Sequence, residues 1–148
     1  MQLDQFFPYR LAVLSDAVSR ATALVYSDRF DLTRDQWRVL AALANKKQMK
    51  TTGLIAHTTL DKMQVSRALA RMVENGLVER RTDTEDRRGH RLRLLPAGET
   101  LFRKIVPKVQ QRAQFLLDAL TPEESAQLGD MMDRLLAKAR KLNSGNAS

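Results

Sequence analysis

Residues Leu60 to Leu95 read LDKMQVSRALARMVENGLVERRTDTEDRRGHRLRLL. Asp61 is placed to cap a helix. On a 3.6-residue wheel, Val65, Ala68, Leu69 and Met72 fall on one side. Gln64, Arg67, Arg71 and Glu74 fall opposite, with Met63, Ser66 and Ala70 on the flank. Asn75-Gly76 fits a left-handed helix end. Leu77 to Arg81 suggests a strand, and the strict alternation Arg91-Leu92-Arg93-Leu94 suggests its partner. The polar loop between them, Thr82 to His90, closes on Gly89 and is too long for a two-residue turn. The stretch is therefore an amphipathic helix followed by a basic hairpin.

Upstream, Thr51 or Thr52 can cap a short helix with Leu54, Ile55 and Ala56 as its buried positions and Thr58-Thr59 as its interruption. Two short helices joined by a tight turn form a helix-turn-helix. Before it, Thr33 and Gln36 have capping-box spacing. They open a helix carrying Trp37, Val39, Leu40 and Leu43 that ends near Asn45. Lys46, Lys47 and Lys50 then form a basic loop, either a solvated turn or a phosphate contact. The first long element, about Phe6 to Tyr26, repeats Phe7, Leu11, Leu14, Val18, Ala21 and Val25 at helical spacing. Such a stripe ordinarily packs into the chain's own core; the alternative is that part of it pairs with a second subunit.

Downstream, Pro96 suits a helix start, and Leu101, Phe102, Ile105, Val109, Ala113, Leu116, Leu117 and Leu120 give a long apolar face. Pro107 within it is expected to kink or loosen the helix. Thr121-Pro122-Glu123-Glu124 restarts a helix that carries Leu128, Met131, Met132, Leu135, Ala139 and Leu142. Residues 143–148 are small and polar and should fray. The expected architecture is mainly α with a small β-hairpin wing: a winged helix-turn-helix over residues 32–95, and a helical dimerisation region over 1–31 and 96–148, in one domain of 148 residues.

Composition agrees. Hydrophobic residues make up 43% of the chain and aromatics 5%, which suits packed helices with a Leu, Val, Ala and Met core. Net charge is +8, which attracts polyanions. Residues 44–93 hold 12 Lys and Arg against 6 Asp and Glu, whereas the other 98 residues hold 13 against 11. The positive excess thus belongs to the helix-and-hairpin third.

Cysteine is absent, so disulfides, zinc thiolate sites and cysteine redox switches are excluded for this chain. His57 and His90 are its only histidines. With no Gly-rich phosphate loop and no clustered acid, base and nucleophile, the chain is not expected to be an enzyme or to carry a cofactor or metal. No segment approaches the roughly 18 consecutive apolar residues of a membrane span, and the N-terminus lacks a signal-peptide pattern. A cytoplasmic, bacterial protein that does not engage membranes is expected.

Double-stranded DNA is the partner that suits the basic third. Gln64, Arg67 and Arg71 can make paired hydrogen bonds to base edges, and Ser66 permits close approach. Lys62 and Arg91 add charge beside them, and Arg87 and Arg88 near the wing tip suit a narrow minor groove. Asp86 can hold one of these guanidinium groups in a fixed pose. The alternative is a winged-helix module that binds protein or RNA without a small-molecule effector.

The order of elements resembles the MarR family of bacterial transcription regulators over nearly the whole chain. Its most specific part is Asp86-Arg87-Arg88 followed by Leu95-Pro96-Ala97-Gly98, similar to the family's Asp-x-Arg wing motif and its helix start. Leu60-Asp61-Lys62 and Gly76-Leu77-Val78-Glu79-Arg80 also match. Pro96 stands where the family usually has Thr, and Thr58-Thr59 where it more often has Leu-Gly. The resemblance implies an obligate homodimer, intertwined through the N-terminal and two C-terminal helices, on a pseudo-palindromic operator. It further implies a regulator whose DNA affinity changes when a small molecule enters the cleft between the dimer region and the DNA-binding lobe; repression by occluding a promoter is the default, because no separate activation domain is visible.

Pro8-Tyr9-Arg10-Leu11, Ser19-Arg20, Arg29-Phe30, Leu32-Thr33 and Trp37-Arg38 are similar to a branch that answers to hydroxycinnamoyl-CoA thioesters. On that resemblance Tyr9 and Trp37 offer aromatic faces to an effector, and Arg10 and Arg38 offer charge to a carboxylate or phosphate. A simple aromatic acid is the rival effector.

Overall fold

The computed structural model describes residues 1–85 and 89–145. After a single 3-10 turn at Leu3–Gln5, the elements run α1 (Phe7–Phe30), α2 (Arg34–Ala44), β1 (Met49–Lys50), α3 (Thr51–Thr58), α4 (Lys62–Glu74), β2 (Val78–Thr82), β3 (His90–Leu94), α5 (Pro96–Leu117) and α6 (Pro122–Asn143). The expected fold class holds: helices with a small antiparallel sheet.

Local chemistry sets most boundaries. Thr33 and Gln36 form a reciprocal capping box on α2, Asp61 and Gln64 on α4, and Thr121 and Glu124 on α6. Each satisfies two backbone N–H groups that the helix leaves without partners. At the end of α4, Gly76 takes φ 73°, the Leu77 N–H donates to the Met72 carbonyl and the Gly76 N–H to Val73. These are the paired bonds of a glycine-terminated helix.

The chain divides into two compact units, residues 1–110 and 111–148. In the first, α2, α3 and α4 pack around Val39, Leu40, Leu43, Leu54, Val65, Leu69 and Met72, and the sheet closes that core with Met49, Val78, Leu92 and Leu94. Tyr26 from α1 and Ile105 from α5 complete it. Strand order is β1-β3-β2, with Met49 opposite Leu92, and Val78, Arg80 and Thr82 opposite Leu94, Leu92 and His90. In the second unit the last turns of α5 lead through the Thr121 cap into α6, whose Met131, Met132, Leu135, Leu136 and Leu142 are exposed.

Several expectations need correction. α1 continues past Tyr26 to Phe30 and ends on Asp31 in a left-handed conformation. Its stripe is not mainly core: Phe7, Leu11, Leu14 and Val18 are exposed, and burial begins toward Tyr26. The loop after α2 contains β1, a third strand. Neither Thr51 nor Thr52 caps α3; Lys50 holds that position without a side-chain bond. Ala56 is exposed, and Thr58 is buried in its place, its Oγ1 donating to the Leu54 carbonyl at 2.8 Å.

Candidate nucleic-acid interface

α4 presents a split surface. Val65, Ala68, Leu69 and Met72 are buried, whereas Lys62, Met63, Ser66, Arg67 and Arg71 are exposed. Arg67 lies along the helix with its Nη2 2.9 Å from the Met63 Sδ. Gln64 departs from its expected place: it is half-buried and its Oε1 accepts the Asp61 N–H at 3.0 Å. The capping box holds that oxygen, which leaves the side-chain amide N–H groups for other partners.

A cleft of about 490 Å³ separates α4 from the hairpin. Lys50, Lys62 and Arg80 bring positive charge to it, and Thr51, Ser66 and His90 bring hydrogen-bonding groups. The Thr51 Oγ1 is buried without a hydrogen-bond partner among the described residues. Asp83 lines the same cleft and is buried, a placement the sequence reading missed. Its Oδ1 accepts the Glu85 N–H and the Arg91 Nε–H, each at 3.1 Å, and Lys50 Nζ lies 3.4 Å from Oδ2. The Glu85 amide, then Arg91 and Lys50, hold the Asp83 carboxyl below the usual carboxylate range. Arg91, expected to face DNA, is thus half-buried and turned to Asp83.

The other face of the hairpin carries Glu79 between Arg81 and Arg93. Arg81 Nε sits 2.6 Å from one Glu79 oxygen, and Arg93 pairs with the other. The Arg93 and then the Arg81 hydrogen bonds lower the Glu79 pKa. With Gln48 and Arg91 these residues line a smaller cleft of about 210 Å³. Arg87 and Arg88, and the Asp86 expected to orient them, lie outside the described residues.

The effector candidates separate into two groups. Trp37 lies between Tyr26 and Phe102, with ring centroids 5.4 and 5.8 Å away and planes within 20° and 19°. Burial raises the pKa of Tyr26, against the opposing charges of Arg34 and Arg38. Trp37 and Arg38 edge a cleft of about 470 Å³ shared with Asn45, His57 and Thr59. Tyr9 and Arg10 lie exposed in the first turn of α1. At 1.5 Å per residue Tyr9 is about 25 Å from Tyr26 along that helix, so one protomer does not gather all four. Phe102 was legible as an apolar helix position and Tyr26 only as the end of the first long element, and nothing in the spacing announced a three-ring stack.

Among the described residues no group of His, Asp and Glu is arranged to hold a metal ion, and no helix is long and apolar enough to cross a membrane.

Comparison with known proteins bears on this geometry. Residues 30–89 match a family model described as the MarR family. The transcriptional regulator HosA of Escherichia coli O157:H7 is 32% identical over 94 residues, 64% of this chain and 70% of its own length. The homoprotocatechuate degradative operon repressor of Escherichia coli is 25% identical over 109 residues, 74% of each chain. Among solved structures, BpsR of Bordetella bronchiseptica, described for regulation of its DNA binding by 6-hydroxynicotinic acid, superposes with a TM-score of 0.81. That match has 21% identity and covers 91% of this chain and 96% of that one. These relatives are transcription regulators or repressors rather than enzymes.

Proposed function

The chain belongs to the MarR family of transcription regulators, and from that premise we propose that it is a homodimeric repressor released from a pseudo-palindromic operator by a small aromatic ligand. The observation that carries the DNA reading is the cationic cleft beside the exposed face of α4. Lys50, Lys62 and Arg80 line that cleft, and Ser66, Arg67 and Arg71 lie exposed on α4, where they can meet base edges. Phosphate contacts from such a cleft position a protein on duplex DNA, and base contacts from the helix specify sequence. Arg87 and Arg88 are assigned to the minor groove on the strength of the wing motif. Residues 32–95 form the DNA-binding lobe in this reading.

Dimerisation through residues 1–31 and 96–148 is supported by exposed apolar side chains at both ends of the chain: Phe7, Leu11 and Leu14 on α1, and Met131, Met132 and Leu135 on α6. A two-fold pair would place the two copies of α4 about one helical turn of DNA apart.

The effector reading rests on the part of Trp37 that reaches the cleft beside Arg38, its ring being stacked on Tyr26 and Phe102: an aromatic edge next to a cation. This pairing suits an aromatic carboxylate, and a hydroxycinnamoyl-CoA thioester is the finer form of the proposal. Tyr9 and Arg10 would join the site from the second subunit. Ligand binding would favour a spacing of the two α4 helices that mismatches the half-sites, with about 1–3 kcal/mol of coupling.

The test is selection of duplexes from a randomised library, footprinting of the winner, and titration of the complex with aromatic acids and aryl-CoA thioesters. A two-fold site released by one ligand class is expected. Binding to RNA or protein with no preference for a two-fold duplex would overturn the DNA reading; a complex indifferent to both ligand classes would overturn the effector.

A further inference from the structure

We propose that Asp83 is a positioning residue for DNA recognition: its buried carboxylate locks the base of the wing to the start of the helix-turn-helix. This rests on the DNA-binding reading above.

The Asp83 side chain is 1% exposed. Three separate pieces of chain converge on it. The Glu85 N–H and the Arg91 Nε–H donate to Oδ1, and Lys50 faces Oδ2 without a well-directed hydrogen bond. Asp83 also closes the loop by its backbone, its N–H donating to the Gly89 carbonyl at 3.0 Å. Lys50 stands opposite Arg91 in the β1–β3 register and is the residue from which α3 begins. One carboxylate therefore ties the first residues of the wing loop, strand β3 and the start of α3 together.

Stability alone does not explain the arrangement. A buried ion pair contributes little over apolar packing of the same volume, whereas leaving its charges without partners is costly. What it supplies here is geometry: the hairpin is held at a fixed distance from the helix across the cleft that Lys62, Ser66 and Arg80 also line. The carboxylate also neutralises two cations on a surface that meets a polyanion. Removing its charge should have two opposed effects. General attraction to DNA rises as Lys50 and Arg91 are released, while recognition of a particular sequence falls as the hairpin loses its anchor.

Those opposed effects give the test. The wild-type chain selects a duplex from a randomised library, and sonicated genomic DNA serves as the nonspecific probe. Asp83→Asn preserves an acceptor for the Glu85 N–H and removes the charge. It is expected to weaken selected-duplex binding about tenfold, to leave genomic DNA binding unchanged or stronger, and to steepen the salt dependence of the latter by about one unit. Arg91→Gln should give a similar loss on the selected duplex, and the double variant should be no worse than either single one. Thermal unfolding of each variant separates this from a folding defect. An unchanged ratio of the two affinities, a proportional loss of both, or additive single losses would overturn the proposal. A wild-type chain that selects no duplex would instead remove the DNA reading on which it stands.

Discussion

The carbonyl oxygen of Leu77 stands in the space that a side chain on Gly98 would need. It accepts the Leu95 N–H at 2.9 Å, and a Cβ at residue 98 would come well inside van der Waals contact distance of it and press on Leu94. The first turn of α5 is thereby seated on the start of β2. Gly98→Ala should shift that turn and destabilise the chain by about 1–3 kcal/mol. Urea unfolding measures it, and an unmoved midpoint would show that the contact yields easily.

Arg67 and Arg71 are exposed on α4. If they read base edges, replacing either by Ala should weaken the selected duplex by about 1–3 kcal/mol and broaden preference at one position of each half-site. Lys62→Ala should weaken all duplexes alike and reduce the salt slope by about one. A base-specific effect at Lys62 would exchange these roles.

Acid and alkali should act on different residues. Glu79 and Asp83 have carboxyl pKa values lowered by their partners. Their contribution is complete above the ordinary carboxylate range and is lost as pH falls through the lowered values. Tyr26 is raised by burial, so its contribution is complete below the ordinary phenol value and is lost as pH rises through the raised one. These three groups should leave stability flat between about pH 5 and pH 9. Unfolding midpoints across pH should lose part of the acid limb in Glu79→Gln and part of the alkaline limb in Tyr26→Phe.

Trp37 is the only tryptophan of the chain, so its emission reports directly on the ring stack. An aromatic acid bound there should change the Trp37 signal, and Arg38→Ala should weaken its affinity about tenfold by removing a charge-assisted contact. A ligand that releases DNA without altering this emission would place the effector elsewhere.

What could be read from sequence was local. Asp61 and Gln64 are three residues apart, and the bond between them depends on nothing else; the same holds for Thr33 with Gln36 and Thr121 with Glu124. The four buried residues of α4 follow from one helical period. What escaped was non-local. Two residues, Met49 and Lys50, cannot display alternation, and they are a strand because Leu92 and Arg91 lie opposite. Asp83 looked like one more acid in a polar loop because Lys50, one of its partners, is remote in sequence. The spacing that put Gln64 on the polar side of α4 could not show that it is half-buried with its oxygen already committed to the cap. The α1 stripe had the period of a core helix, and periodicity does not say which chain covers it.

The turn between α3 and α4 has a consequence for how its stability can be changed. Thr59 holds φ 59°, a conformation that L side chains resist and glycine accepts freely. It is kept there by its surroundings: Thr58 buries its hydroxyl on the Leu54 carbonyl, and the Thr59 Oγ1 donates to the Thr58 carbonyl at 2.6 Å. Thr59→Gly should relieve local strain and also widen the range of angles at which α4 leaves the turn. A more heat-resistant chain and a more discriminating one would then call for different residues at position 59, with the native threonine on the side of discrimination.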